Sequence, residues 1–218
     1  MKGWQEYGYR YAVLHRKNYD NWEFKEILKV LSPQRGERIL DIGCGTGEFC
    51  YILKKNYGVT PVGMDINKNA IEIASSIYPD MSFRNIRVDE IEGEEYDAAT
   101  MIEVIEHLPD PLYALHRIRG LLKSGGRVAV STPNRWAFIH KLKSMLTGCD
   151  YLYDPLHIQE FNPRGLASLF LHADFIIDKV YTKPLGIPFV RHISKNLYWN
   201  MRSGAFGIHI FLLAHRRD

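Results

Sequence analysis

Apolar positions in this chain fall into short blocks whose period keeps changing. Over Asn21–Leu31, Trp22, Ile27, Leu28 and Leu31 recur at helical spacing, and Ser32-Pro33 ends the run. Ile39-Leu40 and Ile42 then form a brief apolar run broken by Asp41, after which Glu48 to Lys55 returns to a helical pattern. The exchange repeats down the chain. It predicts further strands at Val59–Ile66, Met81–Val88, Tyr96–Ile102, Arg127–Thr132, Phe175–Tyr181 and Gly207–His215. Between them, helices are predicted at Lys68–Ile77, Leu112–Leu122 and Pro163–His172. Asn67 stands where an N-cap belongs, Pro79 terminates its helix, and Lys123-Ser124-Gly125-Gly126 reads as a helix stop and turn.

Strands alternating with helices across short loops imply an α/β, Rossmann-like, doubly wound fold. The expectation is a mostly parallel seven-stranded sheet with helices on both faces and an antiparallel last strand. The 218 residues suffice for one such domain and are too few for two comfortable ones, so 1–218 is read as a single domain. Residues 1–35 are expected to form an N-terminal helical cap. Tyr7, Tyr9, Arg10, Tyr11 and Tyr19 within it fit either a helix packed on the domain or a lid over a ligand. Residues 133–162 and 183–206 fit the alternation least well and read as insertions that shape a substrate pocket. In doubly wound sheets ligands sit beyond the carboxyl ends of the strands, so the loops there should carry the chemistry.

Composition narrows the class little. Hydrophobic content of 46%, charged content of 24% and a net charge of +3 are those of an ordinary soluble globular protein, and the charge is too mild to argue for nucleic acid. Cys44, Cys50 and Cys149 lack metal-ligand spacing and leave one over from any pairing, which fits a reducing cytoplasm better than a disulfide framework. No apolar leader and no run approaching about 18 apolar residues stands in the chain, so a cytoplasmic protein is expected. Peripheral membrane contact is the one refinement. The 183–206 segment mixes aromatic and basic groups, a composition suited to an anionic surface, to a stacked RNA end, or simply to a lid with solvated charges.

The stretch Asp41-Ile42-Gly43-Cys44-Gly45-Thr46-Gly47 places three alternate glycines between a strand and a helix, a layout that brings backbone close to a ligand. A dinucleotide fingerprint would need glycine where Glu48 stands. Asp65 ends the second strand 20 residues beyond Gly45, and a carboxylate there can accept both hydroxyls of a ribose. The D-x-G-x-G-x-G pattern with that acid resembles the first motifs of class I S-adenosylmethionine (SAM)-dependent methyltransferases. The resemblance continues through Glu103-Val104-Ile105-Glu106-His107-Leu108-Pro109-Asp110-Pro111, Gly125 to Arg135, and His157 to Pro163. Its wording is similar to the ubiquinone-biosynthesis O-methyltransferase-like branch, and it covers about residues 36–180. It implies SAM as cofactor and S-adenosylhomocysteine (SAH) as product. The SAM site implied comprises Asp41, Gly43, Cys44, Gly45, Gly47, Asp65, Ile66, Val88, Asp89, Met101 and Glu103.

At the reaction end, Glu103, Glu106 and His107 read E-x-x-E-H. If that turn were α-helical, the spacing would put all three on one face, and His157 would add a fourth donor. Two oxygens and two nitrogens suit Mn²⁺, Fe²⁺ or Zn²⁺ as well as Mg²⁺. The resemblance implies such a Glu103, Glu106, His107, His157 set in some relatives; without a metal, His107 or His157 is the best general base, with Glu103 lining the acceptor pocket. The expected reaction is methyl transfer to a hydroxyl oxygen of a small or lipid-linked molecule. An RNA 2′-O-methyltransferase-like activity ranks below it, since no RNA-binding module accompanies the domain. A nucleotide-binding oxidoreductase or a non-catalytic SAM/nucleotide-binding protein is the reading from another class.

Overall fold

The computed structural model describes residues 21–93, 95–137, 145–146, 148, 157–183 and 207–218. Its elements run α1 (Trp22–Leu31), β1 (Arg38–Ile42), α2 (Glu48–Ile52), β2 (Thr60–Met64), α3 (Lys68–Ile77), β3 (Ser82–Arg84) and β4 (Tyr96–Ile102). They continue with α4 (Pro111–Leu121), β5 (Leu122–Pro133), α5 (Pro163–His172), β6 (Phe175–Lys183) and β7 (His209–Arg216). All seven strands join one sheet in the order β3-β2-β1-β4-β5-β7-β6. The pairs from β3 through β5 are parallel, and β7 runs antiparallel to both β5 and β6. The expected Rossmann-like sheet and its antiparallel last strand are both present.

Short polar side chains start the helices where the sequence puts them. The Asn21 side chain accepts the Glu23 N–H, that of Asn67 the N–H groups of Asn69 and Ala70, that of Asp110 the Tyr113 N–H, and that of Asn162 the Gly165 N–H. Pro111 and Pro163 occupy the first helical positions, where no N–H is required.

The sheet buries both faces. On one side Leu115, Ile118, Leu166 and Phe170 of α4 and α5 pack on Leu40, Met101 and Val128. On the other, Ile27, Val30 and Leu31 of α1 join Phe49, Ala129 and Phe211. Buried on both faces, the central strands read as continuous apolar runs, which is why they were visible in the sequence.

Three local expectations change. The third strand is only Ser82–Arg84, and Val88–Glu90 forms a 3₁₀ turn, in keeping with the poor alternation of Met81–Val88. The helix after the glycine turn widens at Leu53–Tyr57 into a π-helical segment closed by Gly58. Lys123–Gly126 lies inside β5, where the pairing with β4 is irregular and Gly125 has a positive φ. Residues 1–20 of the proposed cap, Phe138, Tyr151, Tyr153, Cys149 and the 184–206 segment lie outside the described residues. Among the described residues, no helix is long and apolar enough to cross a membrane.

Candidate functional site

The parallel strands β1, β2 and β4 end side by side, and their last residues lead into the loops that carry the motifs. After β1 the chain turns sharply: Gly43, Gly45 and Gly47 all have positive φ. Both Gly43 N–H and Cys44 N–H donate to the Met64 carbonyl at the end of β2, which closes the turn against its neighbour. Two of the three glycines are there for space. A Cβ on Gly43 would lie 2.3 Å from Val104 Cγ2, and one on Gly47 would lie 2.6 Å from Phe83 Cζ. Gly45 is different. Nothing lies within 4 Å of its hypothetical Cβ, so the backbone there faces open space with a conformation that side chains disfavour.

Asp65 ties the second strand to this turn. Its Oδ2 accepts the Gly45 N–H at 3.0 Å and its Oδ1 accepts the Asn67 N–H at 2.8 Å. Each oxygen keeps a further lone pair, so the carboxylate can still accept hydroxyl donors from a ligand. Burial pushes its pKa above the usual range against those backbone hydrogen bonds. Ile66, beside it, is 66% exposed, an apolar surface next to the open turn.

Other sequence-proposed cofactor residues sit deeper. Asp41 is buried beneath the turn, where Thr100 Oγ1 donates to it at 2.7 Å and Cys50 Sγ at 3.4 Å. Burial raises its pKa to about 6, with the Asp65 charge adding to the effect. Cys44 is buried in contact range of Gly63, and Met101 is fully enclosed in the core. Val88 is also buried, whereas Asp89 pairs with Arg87 at 2.9 Å.

The reaction end departs from the sequence expectation. Ile105–His107 is a 3₁₀ turn, not an α-helix, and Glu103 precedes it with φ +55°. That break removes Glu103 from the common face. Its Oε1 accepts the Ser131 hydroxyl at 2.9 Å, and its Oε2 lies 3.2 Å from His209 Nε2. Glu106, His107 and His157 do come together: one donor atom from each lies within 4.8 Å of the others. The His107 and His157 rings are 4.9 Å apart. The later loop is held there by its backbone, because the N–H groups of Ile158 and Gln159 both donate to the Glu106 carbonyl.

Glu106 is 1% exposed. Its Oε2 accepts the Thr132 hydroxyl at 2.9 Å, and its Oε1 has no hydrogen-bond partner among the described residues. Burial, reinforced by the Glu103 charge, holds this carboxyl well above the usual range. An orphaned buried oxygen beside two imidazoles is a donor set that a divalent cation fits. Three of the four expected ligands therefore converge, and the fourth is turned into a different group with Glu23 and His209.

Sequence reasoning missed four polar residues here: Glu23, Ser131, Thr132 and His209. Ser131 and Thr132 lie in the last pairs before β5 ends at Pro133, and His209 opens β7 opposite Pro133. The available signal was position, since hydroxyl or imidazole groups at the ends of predicted strands face the loop edge of the sheet. Glu23 sat unremarked in the first turn of α1.

A family model for the methyltransferase domain matches residues 15–180. A ubiquinone biosynthesis O-methyltransferase from Alkalilimnicola ehrlichii is 34% identical over 116 residues, covering 50% of this chain and 47% of that protein. The chain thus spans about half the length of the curated relatives it matches. Among solved structures, an S-adenosylmethionine-dependent methyltransferase from Mesorhizobium loti superposes with a TM-score of 0.67 at 17% identity, covering 89% of this chain and 97% of that one. The [4+2]-cyclase SpnF also superposes at 0.67, with 15% identity over 88% of this chain and 79% of its own. Likeness of that kind shows the fold and leaves the chemistry to the site.

Proposed function

This chain belongs to the SAM-dependent methyltransferases, and we propose on that premise that it moves the SAM methyl group to a hydroxyl oxygen of a small molecule. The observation that carries the reading is the Asp65 carboxylate hydrogen-bonded to the open Gly45 turn, with Glu106, His107 and His157 grouped beyond the neighbouring strand. In this reading the ribose hydroxyls meet the free lone pairs of Asp65, and Ile66 covers one face of the adenine. The methionine half lies along Gly43 to Gly47. Asp41 supports the turn from below, and Cys44 keeps the floor small.

Bound SAM supplies an activated methyl on a sulfonium. With SAM bound, the acceptor oxygen would bond to the methyl carbon as the carbon–sulfur bond breaks, and the pair of electrons from that bond would stay on sulfur to give SAH. The chain's task is to align the acceptor and take its proton. His107 or His157 receives that proton, each offering an imidazole nitrogen as general base. Glu106 anchors the His157 loop through its backbone carbonyl, which accepts the Ile158 and Gln159 N–H groups. A divalent cation, if held by Glu106, His107 and His157, would lower the pKa of the hydroxyl instead.

The acceptor side points to a molecule with an apolar body. Trp136, on the loop after β5, and Ile158, next to His157, are 39% and 57% exposed. A lipid-linked phenol or catechol has that character, and peripheral contact with a membrane would deliver it. The 133–162 and 183–206 segments are read as the walls of this pocket and residues 1–35 as its cap, within one domain. Calorimetry with SAH and NADH tests the cofactor: SAH should bind and NADH should not, and the reverse result overturns the reading. Transfer of radiolabelled methyl from SAM to catechols, polyprenylated phenols and short RNAs then tests the acceptor class.

A further inference from the structure

Glu23, Glu103 and His209 come from three separated parts of the chain, the first turn of α1, the end of β4 and the start of β7. His209 Nε2 lies 3.4 Å from Glu23 Oε1 and 3.2 Å from Glu103 Oε2, and the donor atoms of all three fall within 4.8 Å of one another. None of these side chains is more than 22% exposed. We propose that this triad is a second divalent-cation site, distinct from Glu106, His107 and His157, for a first-row ion such as Mn²⁺, Co²⁺ or Zn²⁺.

The spacing admits a shared ion as well as an ion pair of His209 with Glu103. Charge-assisted N–H···O bonds settle at about 2.7–2.9 Å, shorter than either separation here. Metal–ligand bonds of about 2.1 Å place neighbouring ligands roughly 3.0 Å apart in an octahedron and 3.4 Å apart in a tetrahedron. The observed 3.2 and 3.4 Å lie in that interval. The donor set, two carboxylates and one imidazole, suits the same ions.

Charge gives a second reason. Two carboxylates face one imidazole, so acidic groups outnumber basic ones in the cluster. Among the described residues neither carboxylate is paired with Lys or Arg; the nearby Lys183 is committed to Glu26 and to the face of Trp22. Trp22 packs edge-on against the His209 ring at 5.1 Å, and Nε2 is the ring nitrogen near both carboxylates. A bound ion here would cross-link α1 to the two strand ends beside the acceptor.

The inference does not depend on methyl transfer, and the test separates the two sites. Chelator-stripped His107→Ala/His157→Ala protein is titrated with Co²⁺ and followed by its visible absorption. One ion per chain should bind, and adding His209→Ala or Glu23→Gln should weaken it by at least about 100-fold. SAH binding by calorimetry confirms that each variant is folded, and Glu23→Gln, which opens no cavity, stands in if His209→Ala fails that check. No Co²⁺ bound by the double variant, or binding untouched by both further substitutions, overturns the proposal and leaves a carboxylate–imidazole–carboxylate clamp.

Discussion

The Asp65 carboxylate accepts the Gly45 N–H at 3.0 Å, so the acid at the end of β2 also holds the turn that follows β1. One side chain thereby sets the shape of the turn and, in the proposed reading, would accept the ribose hydroxyls. Asp65→Ala should lower SAH affinity roughly 10- to 150-fold, the effect of losing about 1.5–3 kcal/mol in hydrogen bonds to a charged group. Calorimetry measures it. Affinity equal to the parent's would remove Asp65 from the site.

Gly47 combines φ +85° with a hypothetical Cβ 2.6 Å from Phe83 Cζ. Left-handed backbone costs an alanine about 1–2 kcal/mol, and the overlap adds roughly 1–3 kcal/mol. Gly47→Ala should therefore lose stability on the order of 2–5 kcal/mol in urea unfolding. In a Phe83→Leu background the penalty should shrink, because only the backbone part remains. An unchanged penalty would mean that Phe83 yields without cost.

Asp41 makes stability depend on pH in a stated direction. Its pKa rises from 3.8 to about 6 on folding, so between those values the folded chain holds a proton that the unfolded chain has released. Stability contributed by this group is therefore present below pH 4 and lost as pH rises toward 6, with roughly 3 kcal/mol as the full extent. Asp41→Asn removes that slope. Urea unfolding of both proteins across the window checks it: the variant should gain on the parent as pH rises, and parallel curves would contradict the buried charge.

The sheet was legible in the sequence because both its faces are covered, which turns β1, β2, β4 and β5 into apolar runs bounded by caps and glycines. The glycine turn and Asp65 were legible for a related reason: close backbone approach demands particular residues at fixed spacing. The arrangement of Glu103 was not. Helical spacing predicted a shared face with Glu106 and His107, but Glu103 adopts φ +55° and the next turn is 3₁₀. Its partners Ser131 and His209 lie 28 and 106 residues away in sequence, and no local pattern encodes contacts of that range. Glu23 was invisible for the same reason, since its neighbours belong to strand ends far along the chain.

Glu106 offers a test in which stability and ion binding move in opposite directions. Its Oε1 is buried without a donor, and burial with the Glu103 charge opposes ionisation. Glu106→Gln removes the charge and keeps an acceptor for the Thr132 hydroxyl, so the ion-free protein should gain about 1 kcal/mol. The same change deletes one donor from the cradle with His107 and His157. A cation bound only by the folded state raises the melting temperature by mass action, so Mn²⁺ should stabilise the parent. Glu106→Gln and His157→Ala should each lose part of that increment, and the same part, while only Glu106→Gln melts higher in the presence of EDTA. If both variants keep the whole Mn²⁺-dependent increment, Glu106, His107 and His157 do not hold a cation, which leaves the metal-free version of the proposed reaction.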